Sequence, residues 1–494
     1  MELWQYILYG VGALLCAFVV VTLIRAAFFN EKKLDLPPLP DEDVDVDRAL
    51  ESLSSAIQIP TISYPEHEKV DWAQFAAFRE FLVERYPRIT QTLTRELVGE
   101  ASVLYRWAGT DPSLDPIALL SHQDVVPVTP GTEGDWTHPP FSGHNDGEFL
   151  WGRGSLDMKN HLICVMEAVE KLIAEGFTPA RDVYLCFGHD EEVVASDAAG
   201  AKSIAELLKS RGIHLDSVID EGGAWLKANV PHVLNDRWLA GIGISEKGYV
   251  DFEISVAAKG GHSSAPPNHS ALGELAVAIA DVEKHQFKPK LFPFMTQLLA
   301  NVGRAGTYPV KLLLCNVWLL KPVIKAVMRR IPMAACMVRT TTAATMAEGS
   351  PACNVLPQKA SAIFNFRMMP GTTIADVERH LHRVIRNKNV QIQFVKGKEA
   401  SPFSPTDSRA FKVMAELCKQ MNANSIVAPY LVMGGTDACF YEIVCENVNR
   451  FSPFEITAEL MGCTHATNER IPIATVGGGV AFFKRYIRKL ANNE

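Results

Sequence analysis

Residues 117–124, Ile-Ala-Leu-Leu-Ser-His-Gln-Asp, decide the fold. Four apolar residues form a run that suits a strand buried on both faces, and the run empties directly into Ser121, His122, Gln123 and Asp124. The same construction recurs downstream. Val183 to Phe187 ends in Gly188-His189-Asp190-Glu191-Glu192, and Val218-Ile219 ends in Asp220-Glu221-Gly222-Gly223. Between the first two runs, Gly152-Arg153-Gly154-Ser155-Leu156-Asp157 precedes a helical pattern over 161–175. There Leu162, Val165, Met166, Val169, Leu172 and Ile173 share one face, and Gly176 is placed to cap it. Buried strands separated by helices predict an α/β domain with a mainly parallel sheet and helices on both faces. In such a sheet the carboxyl ends of the strands line one crevice, so the polar clusters should meet there.

The pattern changes near residue 245. Tyr249 to Val256 alternates apolar and polar residues, as does Ala360 to Phe366, and a helical stretch from Ala271 to Glu283 lies between them. Alternation marks antiparallel strands with one exposed face, so a smaller α+β lid or dimerisation domain is expected as an insertion. The layout read from sequence is an anchor or signal at 1–30, a linker at 31–48, a catalytic domain split between 49–244 and 391–494, and the inserted domain at 245–390. Within the insertion, Lys290 to Met337 is unusually apolar. It reads either as a packed subdomain core or as a greasy surface for membrane or acyl chain.

From Leu3 to Ile24 the chain carries no charge, which meets the roughly 20 apolar residues a membrane-crossing helix requires. Trp4 and Tyr6 stand at one end, where interfacial aromatics belong; Arg25, Lys32 and Lys33 follow the other. A cleaved signal peptide is the competing reading, disfavoured by the missing basic n-region and by the length of the run. The basic flank points the enzyme side inward, diluted by Glu31 and Asp35. The linker that follows contains Pro37-Pro38 and an acid run, an extended solvated spacer. Over all 494 residues, 48 Lys and Arg stand against 56 Asp and Glu, a net charge of −8, so no basic balance exists to neutralise a phosphate backbone, and nucleic acid is excluded as a main partner. A hydrophobic share of 48% and a charged share of 21% exclude a mainly disordered chain. Ten cysteines without a CxxC pair indicate neither a redox dithiol nor a zinc ribbon.

Several bare carboxylates in one crevice repel one another unless they are protonated or hold a metal. One or two imidazoles with carboxylates suit zinc, at about 2.0–2.2 Å. More than three carboxylates suggest two ions about 3.5–4 Å apart. No GxSxG elbow is present for a serine hydrolase.

The motifs SHQDVVPV, GRGSLDMKN, GHDEE, DEGG and a late HATNE, in that order, resemble the dinuclear-zinc aminoacylase/carboxypeptidase family. AIQIPTIS, DPSL, GHSSAPP, RTTTA, NVLP and NFRMMPG resemble its branch of N-fatty-acyl-amino-acid synthase/hydrolases and carboxypeptidase S, from about residue 50 to the end. The resemblance implies that His122 and Asp220 bind the first Zn²⁺, that Asp157 bridges two ions, and that Glu192 and His465 complete the second. It implies Asp124 as the residue orienting His122, Glu191 as general base, and His262 as the donor to the tetrahedral oxyanion, often across a dimer interface. Asn354 and Arg367 match positions that hold a substrate's polar groups or free carboxylate. Two zinc ions per subunit are expected, with Co²⁺ or Mn²⁺ able to occupy such a site. Two departures stand out: Ala466 follows the last histidine where many relatives have glycine, and Met158 follows Asp157 where some carry an acid. Neither removes a ligand.

The expected activity is hydrolysis of an amide next to a free carboxylate, in an N-acyl amino acid and above all an N-fatty-acyl one, with synthesis as the reverse reaction. A carboxypeptidase or dipeptidase acting on short peptides is the alternative, and a non-catalytic binding protein on the same fold is the alternative of another class. The remaining expectations are a membrane-held enzyme, a possible homodimer, and an extracytoplasmic catalytic domain, secreted if the amino-terminal segment is cleaved.

Overall fold

A computed structural model describes residues 2–31, 36–193, 200–230 and 233–492. Lys32, Lys33 and Asp35 of the anchor flank lie outside the described residues. The apolar runs form adjacent strands of a ten-stranded sheet. Strand Ile117–His122 lies parallel between Val183–Gly188 and Ser217–Asp220, and Val448–Arg450 continues the parallel set. Toward the edges the direction reverses: Ser102–Trp107 runs antiparallel to Val183–Gly188, and Thr94–Val98 antiparallel to it in turn. On the far side, Leu234–Glu246 pairs antiparallel with Trp225–Val230 and parallel with Ser425–Val432. The sheet is therefore mixed rather than mainly parallel. Its centre follows the expectation because those strands are buried on both faces: all six residues of Ile117–His122 and of Val183–Gly188 are buried.

Helix Lys159–Ala174 covers one face, with Leu162, Val165, Met166, Val169 and Leu172 buried in the main core. Helix Gly200–Ser210 covers the other, burying Ile204, Ala205 and Leu208. The carboxy-terminal helix Ile473–Ala491 packs beside Lys159–Ala174 and contributes Phe482, Phe483 and Tyr486 to the main core.

The alternating segments form a second, four-stranded antiparallel sheet in the order Thr341–Glu348, Lys359–Met368, Gly248–Ala257, Val390–Lys398. Val250, Phe252, Ile254, Phe364 and Phe366 meet Leu275 and Val282 of helix Ala271–Lys284 and Val377 and Leu381 of helix Ile374–Val384 in a separate core. The apolar stretch 290–337 folds into four helices, Pro293–Ala305, Tyr308–Leu314, Val317–Met328 and Pro332–Cys336. Its inward residues Phe294, Met295, Leu298, Ile324 and Met328 join the main core rather than that of the second sheet. The Asn301 amide donates to the Val427 carbonyl at 2.9 Å, which seats the first of these helices on strand Ser425–Val432.

Candidate metal centre

The register of the central strands assembles the site. His122 stands opposite Gly188, and Ile219 opposite Leu119. The residues that follow, 189–192 and 220–223, therefore leave the sheet on either side of His122. Asp124 fixes this junction. Its buried carboxylate accepts from the Ser63 hydroxyl at 2.6 Å and from the amides of Glu191 and Glu192 at 3.3 and 3.1 Å. Its Oδ1 lies 3.3 Å from His122 Nδ1, and its backbone carbonyl 3.0 Å from the same nitrogen. Two acceptors at Nδ1 fix a proton there, so Nε2 is the nitrogen turned toward the carboxylates and available to a cation. Burial opposes the charge on Asp124, but the hydrogen bonds from His122 and Ser63 outweigh it and keep the carboxyl below its usual range.

Around His122 Nε2 stand Asp157 Oδ1 at 3.2 Å and Glu221 Oε1 at 3.5 Å. The other oxygen of Asp157 lies 2.9 Å from His465 Nε2, which is itself 3.0 Å from Glu192 Oε2. Asp157 thus links the two imidazoles, one oxygen to each. Two overlapping triads, His122–Glu191–Glu221 and His122–Asp157–Glu192, bring their ligand atoms within 4.8 Å of one another. His465 sits in the left-handed region at φ 61°, a conformation histidine tolerates better than most side chains.

The charges explain what the cluster is for. Burial, then the neighbouring Asp157, pushes Glu192 up to about 7 and Glu221 up to about 8. Glu191 is raised well above the carboxylate range by burial and by Glu221 and Glu192. Hydrogen bonds to Asp157 and Glu192 raise His465 to about 10. Glu192 Oε1 is buried with no hydrogen-bond partner among the described residues. Protons are standing in for positive charge, and this donor set of imidazole nitrogen and carboxylate oxygen fits divalent cations.

One consequence concerns the chelated protein. Glu192 and Glu221 would release their protons near 4.5 when unfolded, and His465 near 6.5. The folded chain holds these protons longer, so its stability falls as pH rises from about 5 through 9. The melting temperature of chelated protein should drop over that interval, and the gain on adding zinc should widen. A zinc-induced gain that stays constant across the interval would contradict the assignment.

Asp220 does not join either triad. Neighbouring residues of a strand point to opposite faces. Glu221 takes the face of His122, whereas Asp220 is buried with Oδ2 unpartnered among the described residues. Its charge is felt by Asp437, which burial and then Asp220 hold well above the carboxylate range. His262 and Asn354 lie together: the pair Gly261–His262 and Val355–Leu356 forms a short ladder, and the Ser263 amide donates to the Asn354 carbonyl at 3.0 Å. His262 is exposed, with Nδ1 2.8 Å from the Ser264 hydroxyl. Arg367 lies half-buried on Lys359–Met368, its guanidinium 5.6 Å from the Tyr249 ring. Among the described residues no hydrogen bond or ion pair joins these three to the carboxylate cluster.

Glu469 is the residue that motif reading left without a role. It is fully buried, accepts from the amides of Gly154, Leu156 and Asp157 at 3.0, 2.9 and 3.2 Å, and pairs with Arg153 at 2.5 Å. It fastens the loop bearing His465 to the loop bearing Asp157. Gly154, at φ +89°, lets that loop turn, and a Cβ there would meet Val125 Cγ1 at 2.8 Å.

A cation-binding carboxylate crevice at the carboxyl ends of parallel strands defines a metal-dependent hydrolase of the α/β class. The chain belongs to peptidase family M20/M25/M40, whose family model matches residues 118–489. It is 34% identical to a probable carboxypeptidase S-like protein of Dictyostelium discoideum, covering 96% of this chain and 92% of that one. It is 33% identical to the Mus musculus N-fatty-acyl-amino acid synthase/hydrolase PM20D1, with 89% and 87% covered, and 30% identical to carboxypeptidase S of Saccharomyces cerevisiae, with 89% and 83% covered. Among solved structures, an M20 metallo-carboxypeptidase from Sulfolobus solfataricus shares the fold at a TM-score of 0.64 and 18% identity, over 89% of this chain and 98% of that one.

Proposed function

We propose that the protein is a two-metal hydrolase of N-acyl amino acids, long-chain acyl groups foremost, held at a membrane by helix Leu3–Ala27. The observation that carries the chemistry is Asp157, with one oxygen on each imidazole of the cluster. The similarity to the N-fatty-acyl-amino acid synthase/hydrolases supports the substrate class.

His122 and Glu221 would hold one ion, Asp157 both, and Glu192 with His465 the other. Zinc is the metal the ligand types favour. Ions bound there would supply the charge that polarises a carbonyl and makes water acidic enough to attack at neutral pH. Glu191, unencumbered by a hydrogen bond to its carboxylate among the described residues, takes the proton of the attacking water and passes it to the departing amine nitrogen. Asp124 keeps His122 in the tautomer the site uses. His262 would donate to the developing oxyanion, and its exposure suits delivery from a neighbouring copy of the chain; Asn354 and Arg367 would receive the substrate's polar end.

The assignment of Glu221 in place of Asp220 has a direct test. Glu221→Gln should lower the bound metal from two ions per chain toward one, whereas Asp220→Asn should retain two. The opposite pattern in elemental analysis would restore Asp220 as the ligand. The substrate class is tested by turnover of a panel comprising an N-oleoyl amino acid, an N-acetyl amino acid and a blocked dipeptide. Preference for the long acyl chain is expected. Efficient peptide cleavage with no turnover of the oleoyl compound would favour the carboxypeptidase reading, which the similarity to carboxypeptidase S supports.

A further inference from the structure

Helix Leu3–Ala27 does not leave the body as a free stalk. The Tyr308 hydroxyl donates to the Leu23 carbonyl at 3.2 Å, and Arg25 donates to the Cys315 carbonyl at 3.4 Å. The Arg25 guanidinium lies 5.9 Å from the ring of Trp318, and Phe18 meets the same ring edge-on at 6.1 Å. Arg304 lies 5.0 Å from the Phe29 ring, and Glu31 pairs with Arg237 at 2.7 Å. Phe18 stands seven residues inside the uncharged run from Arg25, about 10 Å along a helix axis. Trp318 therefore spans the step from the charged end of that helix into its apolar part. A helix so placed in a bilayer carries Trp318 to the boundary between headgroups and acyl chains, the level at which tryptophan concentrates.

The helix bearing Trp318 is built for the same place. Its inward residues Val317, Ile324 and Met328 are buried in the main core. Leu319, Val323 and Val327, spaced four apart, lie on another face and are 41%, 51% and 49% exposed, with Trp318 at 58% and Ile331 and Met333 just beyond at 51% and 65%. Lys321, Lys325 and Arg329, also four apart, form a basic row that at about 100° per residue shares the side of Trp318 and lies away from the apolar row. A tryptophan and three cations on the side that meets the amino-terminal helix, with another face anchored in the protein, suit contact with the headgroups of an anionic lipid surface.

We propose that residues 317–333 form a second, in-plane contact with an anionic bilayer, continuous with the amino-terminal helix. The catalytic body would then sit down on the membrane instead of swinging from a tether. The proposal rests on the reading of Leu3–Ala27 as a membrane anchor, and tryptophan quenching separates the two. The full-length protein is reconstituted in vesicles of brominated phosphatidylcholine and phosphatidylglycerol, alongside Trp4→Phe and Trp318→Phe variants, both substitutions being at exposed positions. The signal lost with Trp4→Phe reports the anchor; the dependence of the Trp318 signal on the basic row reports the proposed face, and a Trp318 component unchanged by reversing those three charges overturns the proposal. Quenching at both is expected, and Lys321→Glu/Lys325→Glu/Arg329→Glu should cut the Trp318 component by about half or more while leaving the Trp4 component intact. Quenching of Trp4 without Trp318 overturns the proposal and preserves the anchor, whether the face is covered by a second copy or open to water. Loss of both removes the anchor reading and the proposal with it.

Discussion

Glu191→Gln is expected to keep both metal ions and lose about 10²–10⁴ in kcat, the usual contribution of a positioned general base. The substitution preserves shape and leaves the backbone geometry alone, because the Glu191 and Glu192 amides are both held by Asp124 and not by either glutamate side chain. It removes only the capacity to accept a proton. The adjacent pair divides the labour by direction: Glu192 lies 3.0 Å from His465, while Glu191 lies in the triad with His122 and Glu221. A carboxylate among other carboxylates and removed from water has its proton affinity raised, which is the direction that makes it a better base. Bound cations would bring that affinity down again, toward the working pH. Elemental analysis beside steady-state kinetics distinguishes the roles. If Glu191→Gln loses an ion together with its activity, Glu191 is a ligand; if it retains turnover, another group moves the proton.

How far the sequence foretold this site follows from what each signal consists of. A strand buried on both faces is an uninterrupted apolar run, so Ile117–Leu120 and Val183–Phe187 announced both the central sheet and the place where it stops. The polar residues after each run had to emerge at one edge, and His122, Asp157, Glu192 and His465 are brought together. Direction at the sheet edges was not legible, since Ser102–Trp107 reads as apolar whichever way its neighbour runs. Nor was which of Asp220 and Glu221 faces His122. Both are acids, both lie at the strand end, and they differ only in which face they take, which depends on the residue at which the ladder to Val448–Arg450 ends. Glu469 escaped for another reason. Three of its partners are backbone amides, which leave no mark in the side-chain pattern, and its fourth, Arg153, is 316 residues away. The stretch 290–337 was visibly apolar, yet composition could not tell which of two cores would receive it.

Glu469→Ala should be the most damaging single change outside the ligands. Arg153 is 2% exposed and stacks near the Trp136 ring at 5.4 Å, so its guanidinium cannot turn to water when the carboxylate goes. Removing one member of a buried, hydrogen-bonded pair costs about 3–5 kcal/mol, and here the amides of Gly154, Leu156 and Asp157 lose their acceptor as well. That is a large part of a typical folding free energy, so little soluble protein is expected. Glu469→Gln is the sharper probe. Its remaining carbonyl oxygen can still accept from the Asp157 loop, so the chain should fold, while the pairing with Arg153 loses its charge. Asp157 and His465 are then held less firmly with respect to one another, and metal affinity should fall by about 10–100-fold, as it does when groups supporting a ligand are altered. Competition with a chelator measures that affinity, and a melting curve of the loaded protein measures the fold separately. A buried pair that served only stability would lower the melting temperature and leave affinity unchanged. A pair that sets the spacing between the bridging carboxylate and the last imidazole must lower both, and Arg153→Lys, which keeps the charge but not the fork, should recover part of each.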